Sequence, residues 1–329
     1  MSIVKKLLLG CGIFVILVGI RTSIFTVYQV GKSSGDFATI TEAIAACGDS
    51  ASTPVKILVK PGVYVESLNL VGKYISLVGL DKDTCIIKTF TNDYNNPPID
   101  LSTNSNVSNL TIIADDNGTT TPVLGVGGLP SYAIHFDISG RNLDITNARY
   151  QGTSRVTNCI LISKNHQAAG IGISNKQNLI WEDCEFISYI NRCAFYSHSC
   201  QTAGATQQRM LVKNCIMYNL GTAAPIVVQD ANWYAGGAAD SKDTVFTFIN
   251  NYAWSEDGGQ TDALYTTGYA PLATGCISGY IKLGKSSLGN TIPALNTPLN
   301  NNYCNILNIY RNILMNNRIN YIDNLIAAI

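Results

Sequence analysis

The sequence predicts an all-β protein: a single parallel β-helix with a short helix capping its N-terminal end. Three observations carry this. Segments of one pattern return every 25 to 31 residues. The composition favours Asn, Thr, Ser, Gly, Ile and Val, which suits short strands joined by turns. A stretch with helical spacing stands immediately before the first strand.

The repeat sets the architecture. SRVTNCILIS (154–163), LIWEDCEFIS (179–188) and MLVKNCIMYN (210–219) read alike. Each alternates apolar residues, then has Asn or Asp, then Cys, then alternates again. FTFINNYAWS (246–255) keeps the frame with Asn251 in the Cys place. A strand-turn-strand unit at such a period is one coil of a parallel β-helix, with variable loops between strands. Period two turns Leu179, Trp181, Cys184 and Phe186 to one face, which only a neighbouring coil can cover. The Asn or Asp before each Cys is expected at the bend, because Asn tolerates a left-handed backbone and stacked amides can bond between coils. Cys159, Cys184 and Cys215 are expected as small buried hydrophobes in a stack; the 10 Cys show neither a disulfide-framework spacing nor a CxxC metal pair. VKILVKPGVYVES, KYISLVGLDKDTCIIKTF, NVSNLTIIADD and NLDITNARY fit as less regular coils. Eight or nine coils are expected between about residue 54 and residue 285.

The ends of such a stack need covering, since an open sheet edge invites aggregation. Thr39 to Glu42 (TITE) is a capping-box pattern. Ile40, Ala43, Ile44 and Cys47 follow helical spacing, and Gly48 is expected to stop the helix. Residues 301–329 carry apolar positions at Ile306, Ile309, Tyr310, Ile313 and Leu314 and read as a C-terminal cap or interaction tail. Residues 1–23 form a hydrophobic leader: Lys5 and Lys6 precede an apolar run of 14 residues, Leu7 to Ile20. That length suits an export signal or signal-anchor and is short for a membrane span. A β-branched assembly strand is the competing reading. Membrane contact, if any, would run through residues 7–20. Residues 24–300 form the β-helix domain.

Charge excludes some functions. Only 13% of the 329 residues are charged, against about 25% in an ordinary soluble domain. Lys+Arg and Asp+Glu are both 22, so no basic surface argues for nucleic acid.

With these elements in place, SGDFATITEAI, KILVKPGVYVE and ISLVG (within 34–79) resemble the opening of pectin methylesterases, a group of pectin-lyase-like proteins. The family pattern runs GSGDF-x-TI-x-x-AI and then GxYxE, here Gly62, Tyr64 and Glu66. The resemblance implies a right-handed parallel β-helix. It also implies a site with two Asp residues, one a nucleophile and one an acid/base, two Gln residues holding the oxyanion, and a downstream Arg. HQAAGIGIS (166–174) resembles the family's QAVAL stretch and places Gln167 at the first Gln. At the expected Gln-Asp pair stand Ile190 and Asn191. Ala224 stands where the second Asp would fall, and no Leu-Gly-Arg-Pro-Trp follows. Both acids are thus absent in this alignment. Glu66 is expected to accept turn hydrogen bonds. SYAIHFD, AAGIGIS and CAFYSHS look like β-helix proteins of phages and prophages, implying a tail-associated or surface-glycan protein.

Other chemistry is weaker. The three Asp and Gly-His-Gly of polygalacturonases are missing. Asp81/Asp83, Asp115/Asp116 and Glu182/Asp183/Glu185 are acidic clusters of the type that holds Ca²⁺ in pectate lyases, but read better as solvated charge. His135, His166 and His198 occupy matching neighbourhoods without a metal-ligand pattern. His135 with Asp137 lacks a nucleophile elbow. Weak catalytic candidates are Gln167 and Glu185. Sugar-stacking candidates are Trp233 and Tyr234, in the loop QDANWYAGGAAD, and Tyr189, Tyr196 and Trp254; local packing of that loop is the alternative. No cofactor is implied. The reading is a glycan-directed β-helix protein at an extracellular, cell or virion surface, with a polysaccharide as partner and a homotrimer or larger assembly by analogy. An active carbohydrate esterase or lyase, or a purely structural module, are the alternatives.

Overall fold

The computed structural model describes residues 26–48, 50–90, 96–115, 132–137, 143–144, 146–164, 166–173, 176–189, 194–198, 209–219, 226–229, 245–249, 251–255, 264–265, 272–274, 277–278 and 324. The leader and the C-terminal tail, apart from residue 324, therefore lie outside the described residues, as does the 230–241 loop.

The chain enters through β1 (Thr26–Val30) and helix α1 (Ile40–Ala46) and then winds. Coil 1 is β2 (Val55–Val59), β3 (Gly62–Val65) and β4 (Leu68–Asn69). Coil 2 is β5 (Ile75–Gly79), β6 (Cys85–Thr89) and β7 (Ile99–Asp100). Coil 3 is β8 (Asn106–Ser108), β9 (Thr111–Ala114) and β10 (Ile134–Asp137). Coil 4 is β11 (Gly152–Thr157), β12 (Ile160–Ser163) and β13 (Ala169–Gly172). Coil 5 is β14 (Gln177–Glu182), β15 (Glu185–Ser188) and β16 (Phe195–His198). Coil 6 is β17 (Arg209–Lys213), β18 (Ile216–Asn219) and β19 (Ile226–Gln229). Coil 7 is β20 (Val245–Ile249), β21 (Tyr252–Ser255) and β22 (Leu264–Tyr265). An eighth begins with β23 (Leu272–Thr274) and β24 (Ile277–Ser278).

Every strand pairs in parallel with its counterpart one coil away, giving three sheets. The first runs β1-β2-β5-β8-β11-β14-β17-β20-β23, the second from β3 to β24, and the third from β4 to β22. This is a right-handed parallel β-helix. Three of the four less regular coil segments fall on strands as expected. The fourth, NLDITNARY, does not: Ala148–Tyr150 is a single 3₁₀ turn between β10 and β11. Asp144 and Asn147 explain it, since their side chains accept from Thr146 N and Arg149 N and satisfy the backbone locally.

The core consists of stacked columns. In the first sheet Ile57, Leu77, Val107, Val156, Trp181 and Val212 share one register column. In the second, Tyr64, Ile87, Ile112, Leu161, Phe186 and Met217 do so. All are buried. Coil 5 places one large ring from each sheet at the centre: Trp181, Phe186 and Phe195 meet edge to face at 5.1 to 6.1 Å. Such pairs add about 0.5–1.5 kcal/mol each beyond burial.

The corner from first to second sheet is tight and repeats. Asn109, Asn158, Asp183 and Asn214 all have left-handed φ, between 49° and 56°. Asn158 Nδ2 donates to Asn109 Oδ1 at 2.8 Å, and Asn214 Nδ2 to Asp183 Oδ1 at 3.1 Å. Cys159, Cys184 and Cys215 follow, buried and not disulfide-bonded. Burial, then hydrogen bonding to Cys184, pushes the Cys159 and Cys215 thiols well above their ordinary value. Asn251 holds the next place in that column: its amide accepts from Cys215 N and donates to Val212 O, both at 2.8 Å.

Helix α1 closes the N-terminal end, and its first four N–H groups are all accounted for. Thr39 N donates to Glu42 and Glu42 N to Thr39 Oγ1, which completes the capping box. Ile40 N and Thr41 N donate to the two carboxylate oxygens of Glu66. Ile40, Ala43 and Ile44 are buried beneath the helix, which packs against β1 and β2. The helix stops before Gly48. Cys47 is already extended, its N–H bonds to Ile44 O and its thiol to Ala43 O, so no left-handed glycine is needed.

Candidate functional site

The strands of the third sheet carry the register column Asn69, Asp100, His135, Gly170, Tyr196, Val227 and Tyr265. Its alternate neighbours Ile99, Ile134, Ala169 and Phe195 are core residues, so Asp100 and His135 point away from the core. His135 Nδ1 lies 3.6 Å from Asp100 Oδ1, with both side chains largely buried. The Tyr132 ring stacks on His135 at 5.2 Å and meets His166 edge-on at 5.1 Å. Gly170 makes room for that ring, since a Cβ there would lie 2.6 Å from it. Asp100 is thus a carboxylate beside His135.

The corner from second to third sheet adds further ionisable groups. Asp115 is 2.9 Å from Lys88 and 3.4 Å from Lys164. Lys88 and Asp115 are almost wholly buried, which corrects the expectation that Asp115 is solvated surface charge. The neighbouring coil supplies the lysine that keeps the carboxylate paired. Lys88 also lies over the Phe90 ring, 4.4 Å from its centroid. One coil on, His166 N donates to Ser163 Oγ, and Ser188 Oγ donates to His166 O. Gln167 follows, 2% exposed, with its Oε1 buried and unpartnered.

The remaining sequence candidates scatter. Gln167 lies beyond the end of β12, whereas Glu185 opens β15 at the opposite corner, 3.6 Å from Lys82. They do not face one groove. Tyr189 is half-buried just after β15, its N–H bonded to Ser163 O. Tyr196 lies in β16 and Trp254 in β21, and Trp233 and Tyr234 fall outside the described residues. Glu66 is a helix cap whose carboxylate also accepts from Thr41 Oγ1 at 2.6 Å. Tyr64 is buried and donates to Lys60 O at 2.9 Å, and Gly62, at φ 156°, lies against its ring. Glu182, also expected as solvated charge, pairs with Lys213 at 2.7 Å. Among the described residues no three His, Cys, Asp or Glu converge as metal ligands.

The Asp100–His135–Tyr132 group was missed in the sequence. The signal that could have found it is the alignment of PIDL, AIHFD, AGIG and FYSH as successive third-sheet strands. That alignment brings Asp100, His135, Gly170 and Tyr196 into one column.

This three-sheet winding recurs in solved structures. A pectin methylesterase from Aspergillus niger superposes with a TM-score of 0.50 at 12% identity, covering 83% of this chain and 91% of its own. The chain has the pectin methylesterase fold. Pectin methylesterase PemA from Erwinia chrysanthemi superposes with a TM-score of 0.47 at 16% identity, covering 82% and 85%. A pectin methylesterase point mutant in complex with a hexasaccharide gives 0.49 at 16% identity, covering 84% and 92%. No family model matches the chain, and no curated protein does.

Proposed function

We propose that this protein is a glycan-directed β-helix of a cell or virion surface, which recognises a polysaccharide and does not hydrolyse its esters. The observation that carries this reading is the use made of polar groups on the third-sheet face. Asp100, His135, His166 and Gln167 are all largely buried, and Tyr132 is packed between the two histidines. Groups so enclosed hold the face together rather than present it to a substrate. The sequence alignment supports the same conclusion, because Ile190, Asn191 and Ala224 cannot serve as nucleophile and acid/base.

The test is to incubate the full chain with methyl-esterified pectin, polygalacturonate and a panel of bacterial surface glycans, and to follow both bound sugar and product mass. Binding without mass change is expected. Release of methanol or acetate, or shortened chains, would overturn the reading.

One observation favours an active esterase instead. The buried, unpartnered Gln167 Oε1 costs about 1–3 kcal/mol and asks for a purpose. Gln167→Leu separates the two readings. Under recognition it leaves glycan binding intact and does not lower stability; under esterase chemistry it abolishes ester release.

A further inference from the structure

A different face of the coil carries a groove of about 370 Å³, on the outside of the first sheet. We propose that this groove binds an acidic oligosaccharide, with Lys56 and Arg155 each taking one carboxylate. The ligand class is shared with the function proposed above, but the site is not.

Register builds the groove. Lys56, Ser76, Asn106 and Arg155 form one column across coils 1 to 4. Inward neighbours Ile57, Leu77, Val107 and Val156 are core, so this column faces out. The floor is mostly apolar, and its polar groups, Ser76 and Asn106, are set in place. Asn106 Nδ2 donates to Ser76 Oγ at 3.4 Å, and Asn106 Oδ1 accepts from Arg155 N at 2.9 Å. With both ends of the amide held, Ser76 can turn its hydroxyl proton toward a ligand. Val78 and Thr157 line the groove from the adjacent column.

The two cations stand at the ends of this floor. Neither Lys56 nor Arg155 pairs with a carboxylate among the described residues. Glu182, next to Thr157 on the following coil, is already neutralised by Lys213 at 2.7 Å. The cations are three strand spacings apart, roughly 14 Å at about 4.8 Å per step. A pyranose residue repeats at about the strand spacing, so a short uronate chain lying along the coil axis would place carboxylates near both ends.

Hydroxyl and amide groups between two cations suit a sugar acid, whose carboxylates are separated by hydroxyls. Nucleic acid fits less well. The chain has no net positive charge, and no aromatic side chain lines the groove for bases to stack on.

Calorimetric titration of the full-length protein with oligogalacturonate, its neutral methyl ester and a single-stranded oligonucleotide tests this. Oligogalacturonate is expected to bind in a salt-dependent manner, more tightly than the other two probes. Lys56→Gln with Arg155→Gln should weaken it about tenfold and reduce the salt dependence, without moving the unfolding midpoint. Asn106→Ala, which keeps both charges, should weaken binding less. Unchanged affinity in the double variant, no oligogalacturonate binding by the parent protein, or oligonucleotide binding of equal strength would each overturn the inference. Retained binding of a neutral glycan in the double variant would leave the proposed function standing whichever way the groove falls.

Discussion

The two corners of one coil obey different rules. From first to second sheet coils 4 to 6 turn on one left-handed Asn or Asp followed by a buried Cys, and coil 3 turns on Asn109 followed by Leu110. From second to third sheet it turns through segments of changing length, and there Lys88, Asp115, Lys164, His166 and Gln167 collect. A tight turn has no room for variation, because each coil must stack its bend on the one below. A long turn is free of that constraint and can bring ionisable groups together. The regular corner maintains register, and among the described residues the variable corner holds most of the buried charge.

The largest effect is expected at the variable corner. Lys88→Met removes the nearer of the two lysines paired with the buried Asp115, and should destabilise the fold by about 3 kcal/mol in urea unfolding. Replacing the pair together, Lys88→Met with Asp115→Leu, should recover most of that loss. If the single variant costs nothing, the corner is wet and the contrast fails.

The N-terminal cap comes next. Glu66→Ala removes the acceptor for Ile40 N, Thr41 N and Thr41 Oγ1. A loss of about 2 kcal/mol is expected, with faster amide exchange confined to α1.

At the regular corner the effect should be smaller and depend on side-chain shape. Asn158→Val forces a β-branched residue into φ 49° and should cost about 1–2 kcal/mol, whereas Asn158→Gly should cost less. Equal costs would mean that the amide bond to Asn109, not the backbone, holds the turn.

The smallest effects are chemical. Cys159, Cys184 and Cys215 should resist thiol reagents at pH 8 until the protein unfolds, since all three are buried out of a reagent's reach. The Tyr64 hydroxyl is also raised, by burial first and then by Cys85 and Glu66. Its contribution is fully present below the ordinary Tyr value near 10 and fades as pH rises through the higher folded value. Alkaline titration of tyrosine absorbance should show a late-ionising component that Tyr64→Phe removes.

The regular corner was legible in the sequence because it repeats. NC, DC and NC stood at matching places, and Asn251, in the Cys place, kept the buried position by bonding its amide to the backbone of the coil before it. Glu66 was legible as a structural acceptor, though not as the cap of a helix 26 residues earlier. Gln167 and Glu185 were both visible as polar residues next to strands. Their placement at opposite corners was not, because it depends on where each loop ends.

What the sequence determined by itself was periodic: the coil, the inward faces of Trp181 and Phe186, the bend at Asn158 and the capping box at Thr39. Those features rest on interactions between near neighbours or between identical positions one coil apart. The tertiary structure alone decided which charges meet. Asp100 reaches His135 across 35 residues, Asp115 reaches Lys88 and Lys164 from the coils on either side, and Lys56 shares a groove with Arg155 from three coils away. Variable loops separate these partners in the chain, and only the register of the sheets, set by packing of the buried columns, brings them together.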